Sequence, residues 1–280
     1  MVGHHHHGDE LDDHDRGLAF DLNTLMVRRG VLKLFAGGAL GVGATALAAC
    51  GGGGSTATTT AAVGTTTAAA TDTLTPIPEE TAGPYPADNS NGVDVLTEFG
   101  IVRGDIRSSF GSASGVALGV PLDVELTVLD TAKGGAPLVG AAVYVWHCTA
   151  DGQYSLYSQN VVNENYLRGV QETDANGKVT FKSIFPGAYS GRWPHIHFQV
   201  YPNIDEAIVA GTETATSQIA MPEDACRLAY AEAGYEQSIA NLAQTSLATD
   251  MVFSDGWDAE LGTVTGSVAD GLRVALNVPV

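Results

Sequence analysis

Residues 187–198 read GAYSGRWPHIHF and hold His195 and His197, one residue apart. Of the chain's eight histidines, five fall within the first fourteen residues, and only His147 lies elsewhere. In a strand, residues two apart share a face, so both imidazoles can reach one metal ion while Ile196 and Phe198 point into a core. A bare His-x-His is also met as two hydrogen-bonded histidines with no metal, and the neighbours weigh against that reading. Tyr189 and Arg192 precede the pair in a Gly-containing loop, and Tyr154 stands just past a turn in the upstream stretch VWHCTADGQY. Phenolate is a hard, anionic donor, so two tyrosines with two histidines favour a trivalent Lewis-acidic metal, chiefly Fe(III), over Zn(II) or Cu(I). Two phenolates and one hydroxide would leave an Fe(III) site formally neutral, which makes its burial feasible.

These side chains need a rigid frame, and the pattern supplies strands. GIVRGDIRSS, PLDVELTVLD, AAVYVWHC, GKVTFKSI and HIHFQVY alternate or run apolar and are rich in Val, Ile, Tyr and Phe. AKGGAP, TADGQ, TDANGK and FPGAYSG punctuate them with turn chemistry. The Asn-Gly of DANGKVTF signals a hairpin. Without helical crossovers, this order predicts an all-β, antiparallel β-sandwich. Residues 223–242 carry the helical spacing of a short C-terminal segment, interrupted at Gly234, and GTVTGSVADGLRVALNVPV predicts a terminal hairpin.

The first fifty residues read as addressing. VRRGVLK (27–33) and the short Gly/Ala-rich apolar run after it resemble a twin-arginine export signal, and LAAC (47–50) resembles a lipobox with Cys50 as the lipidated residue. Residues 51–75 form a low-complexity Gly/Thr/Ala tether, followed by one domain over 76–280. The expected location is the outer face of a bacterial cell membrane, reached by export and held only by the lipid. The 280 residues carry 13 basic and 32 acidic side chains, a net charge of −19 that disfavours nucleic acid as a partner. Export leaves two readings of Cys148 and Cys226 open, a disulfide or two buried thiols.

ETAGPYP (80–86), VWHCTADGQY (145–154), PGAY (186–189) and RWPHIHF (192–198) occur in the order found in the intradiol ring-cleavage dioxygenases, which this chain resembles. The resemblance implies a transthyretin-like sandwich and a non-haem Fe(III) held by Tyr154, Tyr189, His195 and His197. It implies that a catechol and O2 are the substrates and a cis,cis-muconate the product. Tyr189 is then the ligand that gives way to the catechol, and Arg192 stabilises charge developing on the ring. Thr81, Pro84 and Tyr85 match residues at the active-site mouth, and Tyr157 and Tyr166 are further pocket candidates. His147 reads as structural or supporting. A cupin would need a carboxylate soon after His197, where Gln199–Pro202 offers none, and a superoxide-dismutase-like site would need more histidines. The other class of reading is a non-catalytic transthyretin-like module that binds at the cell surface.

Overall fold

The computed structural model describes residues 74–280. The export motif, Cys50 and nearly all of the tether lie outside the described residues. Nine strands make two packed sheets. β1 (Pro121–Asp130) is flanked by β2 (Ala136–Pro137) and β5 (Lys178–Ile184) on one side and by β9 (Gly271–Pro279) on the other, with β8 (Thr263–Ser267) beyond. The second sheet runs β4 (Arg168–Glu172), β3 (Ala142–Trp146), β6 (His195–Tyr201), β7 (Ala215–Ala220).

Alternation along the strands decides what lies between the sheets. Leu122, Val124, Leu126 and Val128 of β1 meet Val143, Ile196, Phe198 and Ile219 of the second sheet, all buried. Each such side chain contributes about 1.5–3 kcal/mol by leaving water. The second sheet is buried on its other face too, where Tyr144, Trp146 and Tyr201 pack under residues 85–101 and the loops of Tyr154 and Tyr189. His195 and His197 point into this outer layer, because Ile196 and Phe198 take the inter-sheet side.

Two expectations change. All pairs of the second sheet are antiparallel, but β1 and β9 run parallel, with Leu122 opposite Leu272 and Val128 opposite Val278. The predicted hairpin at DANGK is a turn between sheets instead. Asp174 Oδ1 accepts the amides of Asn176 and Lys178, and Gly177 takes φ +72°, but β4 then pairs with β3 and β5 with β1. The terminal hairpin forms as β8–β9. The helical stretch is split, as its Gly234 (φ +97°) implies, into α2 (Glu223–Ala229) and α3 (Glu236–Leu242), after the single-turn α1 (Ile204–Ala207). Among the described residues no helix is long and apolar enough to cross a membrane.

The disulfide weighed between Cys148 and Cys226 is absent, and both are buried free thiols. They belong to different packing layers, Cys148 to the outer layer and Cys226 to the inter-sheet core under α2. Their Sγ atoms face the carbonyls of Gly187 and Met221.

Candidate metal centre

β6 sits inside its sheet, paired with β3 and β7, so the backbone beneath the two histidines is fixed on both sides. The His195 and His197 Nε2 atoms are 3.0 Å apart. His195 Nδ1 lies 2.5 Å from the Trp193 carbonyl, which assigns the proton to Nδ1 and leaves the Nε2 lone pair directed inward. The ring of His197 lies flat against Trp146, at 4.8 Å and 2° between planes.

The two tyrosines come from loops that glycine lets touch. Gly152 takes φ +87°, and a Cβ there would stand 3.2 Å from the Ala188 carbonyl and 3.3 Å from Tyr189 Cβ. Gly187 packs closer still, where a Cβ would meet the carbonyls of Thr149 and Ala150 at 2.5 Å. The turn before Tyr154 therefore rests on the loop of Tyr189, with their rings 5.7 Å apart and edge-on. Tyr189 Oη lies 3.4 Å from His195 Nε2.

All four side chains are buried, Tyr189 the least at 9 % exposed. Tyr154 Oη and His197 Nδ1 have no hydrogen-bond partner among the described residues. Burial first, then the charge of Arg192 for His195 and the neighbouring imidazole for His197, hold both histidines well below the usual range and neutral. Burial, reinforced by Tyr189, pushes the Tyr154 phenol well above its ordinary value. A dry pocket that collects two imidazole lone pairs and two phenol oxygens, one of them orphaned, is costly on its own and fits a bound cation, whose charge would draw the phenol protons off. Among the described residues no three His, Cys, Asp or Glu side chains could hold a metal ion, so a metal bound between His195 and His197 would need the tyrosines as donors too.

Arg192 is buried beside it, 1 % exposed. Its Nε donates to Asp250 Oδ2 at 3.0 Å, Nη2 to Gln218 Oε1 at 2.7 Å, and Nη1 lies 3.5 Å from Tyr189 Oη. Asp250 also accepts the Trp193 amide, and its other oxygen takes the amides of Val252 and Phe253. Burial would raise the Asp250 carboxyl, but Arg192 and the Trp193 amide bring it below its usual range. Neither Asp250 nor Gln218 was singled out in the sequence. Gln218 becomes visible only once β7 is paired, opposite His197, and Asp250 lies in a loop with no motif pointing to Arg192.

The segment 79–88 straps this face. Glu80 N–H donates to the Thr216 carbonyl, and the Thr81 carbonyl accepts from Gln218 Nε2, which links Thr81 to Arg192. Tyr85 is brought against Tyr154, rings 4.8 Å apart, and against Tyr157 at 5.1 Å. Pro84 lies half-buried in the strap, its carbonyl taken by Asn91. Tyr166 is placed elsewhere, in the inter-sheet core. His147 turns away from the donor set, its Nε2 on Ser183 Oγ at 2.7 Å and Nδ1 on the Cys148 carbonyl, and burial lowers it to about 4.

Residues 107–213 match the family model described as Dioxygenase. The described fold is similar to the solved intradiol ring-cleavage dioxygenase of Tetranychus urticae: 26 % identity, 74 % of this chain and 94 % of that one covered, TM-score 0.58. Among curated proteins, the chlorocatechol 1,2-dioxygenase of Rhodococcus opacus is 40 % identical over 63 residues, covering 22 % of this chain and 24 % of that protein. Catechol 1,2-dioxygenase 2 of Acinetobacter lwoffii is 41 % identical over 56 residues, 20 % of each chain. The matched stretches thus span about a quarter or less of those curated relatives. Sequence motifs, fold and a two-tyrosine, two-histidine pocket thus agree in likening the chain to the intradiol ring-cleavage dioxygenases.

Proposed function

We propose that the protein is a non-haem Fe(III) intradiol dioxygenase, which opens a catechol between its two hydroxyl-bearing carbons with O2 and yields a cis,cis-muconate. The observation that supports this best is the donor set itself, in which Tyr154, Tyr189, His195 and His197 converge in a pocket that leaves Tyr154 Oη without a partner. Bound Fe(III) would supply Lewis acidity toward the catechol oxygens and make the ring electron-rich enough to react with O2.

The chain's own groups do the rest. Tyr189 Oη, least buried of the four, would accept the proton of one catechol hydroxyl once a bound cation had drawn off its own. Arg192 Nη1 stands beside that oxygen and would stabilise negative charge arising on it or on the ring. Gln218 and Asp250 hold the guanidinium in that position. Tyr85 and Tyr157 wall the pocket with flat apolar surface suited to an aromatic ring. A non-catalytic binding module would have no use for the buried, unbonded Tyr154 Oη and His197 Nδ1. From residues 1–75 we further infer export by the twin-arginine route and a lipid anchor at Cys50.

Iron loading should turn the purified protein red-brown through tyrosinate-to-iron charge transfer, and catechol should then drive O2 uptake with release of muconate. Tyr154→Phe should lose the colour and at least ~1,000-fold of the turnover. A colourless protein after anaerobic iron loading and reoxidation, or a yellow semialdehyde product, would sink this reading.

A further inference from the structure

The strap lines a second cavity, of about 470 Å³, within the ~300–1,000 Å³ of small-molecule sites. Thr81 and Gly83 of the strap line it on one side, residues 88–91 and 210–213 on others. Along β6, residues two apart share a face, so Gln199 and Tyr201, which also line the cavity, continue the row begun by the two histidines. Thr81 belongs to both places, since its carbonyl accepts Gln218 Nε2 and Gln218 in turn holds Arg192.

The cavity rests on a buried polar chain. Tyr201 Oη donates to Gln199 Oε1 at 2.9 Å, and Gln199 Nε2 donates to Asp88 Oδ2 at 2.9 Å. Gln199 and Tyr201 are both almost fully buried. The backbone around them is strained. Among the described residues five non-glycines take positive φ, and three gather here: Ala87 (+53°), Asn89 (+73°) and Ala210 (+49°). An alanine has no side-chain hydrogen bond to offset that conformation, so its surroundings impose it, and such strain collects at ligand sites.

The lining selects a chemistry. Asp88 and Glu213 offer acceptors, while the amides of Asn89 and Gln199 both donate and accept. Among the described residues that line the cavity there is no Lys, Arg or His, so an anion would face carboxylates without a counter-charge. An apolar ligand would take water from these groups and return no bond. Ring hydroxyls both donate and accept, which matches the mixture.

We propose that this cavity is a second binding site, for a neutral, hydroxyl-rich ring of the pyranose type. Such a ring could arrive as a saccharide or as a substituent of a catechol held at the metal centre.

Calorimetric titration of the iron-free protein tests the site. Cellobiose and methyl β-glucopyranoside should bind with Kd of roughly 1 mM. Methyl β-glucuronide, which adds a carboxylate to the same ring, should bind at least roughly tenfold more weakly. Ser90→Trp, at an exposed rim position, should fill the cavity, and Gln199→Met removes the buried amide at similar bulk. Each should weaken cellobiose by roughly tenfold or more. No saccharide binding up to ~50 mM, a glucuronide that binds as well as the glucoside, or a folded Ser90→Trp variant that binds cellobiose like the parent overturns the site. A second arm separates the two sources in the iron-loaded protein, comparing 4-ethylcatechol with the catechol that carries a β-glucosyl group on its ethyl chain. A KM roughly fivefold or more lower for the glucoside, lost in Ser90→Trp, assigns the cavity to the substrate, and equal KM values assign it to a separate saccharide. The first arm needs no iron, so failure of both catechols to turn over would count against the dioxygenase reading and not against this site.

Discussion

Arg168 and Arg192 are both about 1 % exposed, yet they are held in opposite ways. Arg168 touches no carboxylate: its five bonds go to Ser155 Oγ and the carbonyl of the same residue, Tyr144 Oη and the carbonyls of Tyr85 and Pro86. Those acceptors belong to the strap, to β3 and to the Tyr154 loop, so one planar fork ties three segments together. Arg192 makes an ion pair with Asp250 and also reaches Tyr189 Oη, 3.5 Å away, in the candidate metal centre. A guanidinium surrounded by neutral oxygens serves as a structural rivet. One fixed by a carboxylate on one edge can offer its other edge to chemistry.

That contrast can be broken from either side. Arg192→Met should cut kcat/KM by roughly 100- to 1,000-fold and, by stranding the Asp250 carboxylate, destabilise by about 3–5 kcal/mol in urea titrations. Adding Asp250→Asn should restore most of the stability and none of the rate. A double variant as unstable as the single one would show that the charge pair is not what holds this loop. Arg168→Met should cost about 3 kcal/mol by unpairing the strap and loop, and expose residues 79–88 to proteolysis. Its turnover per folded molecule should stay within threefold, and a collapse of turnover at full stability would place Arg168 in the chemistry.

Glu260 sharpens the comparison with a buried carboxyl that makes no ion pair among the described residues. Burial, followed by the proximity of Glu80, raises its carboxyl from the ordinary 4.5 to about 8, against a single hydrogen bond from Ser217. The folded protein then holds a proton that the unfolded chain releases above pH 4.5, so stability declines as pH rises from about 4.5 to about 8. Glu260→Gln mimics the protonated form. It should raise Tm by a few degrees at pH 8 and leave it unchanged at pH 4, as calorimetry at the two pH values would show. An equal gain at both would trace the effect to packing instead.

Much of this was legible in the residues. The alternation of HIHFQVY announced which side chains would face outward, and Tyr154, Tyr189 and Arg192 were distinguished by type and by turn context. What escaped notice depends on distant pairing. Gln218 has meaning only through its place opposite His197, and Asp250 only through a contact with Arg192 across 58 positions of sequence. The Asn-Gly turn was read for its local geometry, which it has, but local geometry does not say which sheet the next strand joins. Cys148 and Cys226 could be counted, but their separate packing layers could not.

The last strand also matters to how the molecule is made. β9 lies between β1 and β8, and the amides of Ile77 and Thr131 bond to the carbonyls of its last residue, Pro279, and of Val280 just after it. An emerging chain therefore cannot close its first sheet while the ribosome still holds β9 in its tunnel. The half bearing the histidines can begin to pair earlier, but it has no finished partner to pack against. A stop codon at the start of β9 would remove the seam itself, so termination there should yield protein destined for proteolysis rather than a shortened enzyme.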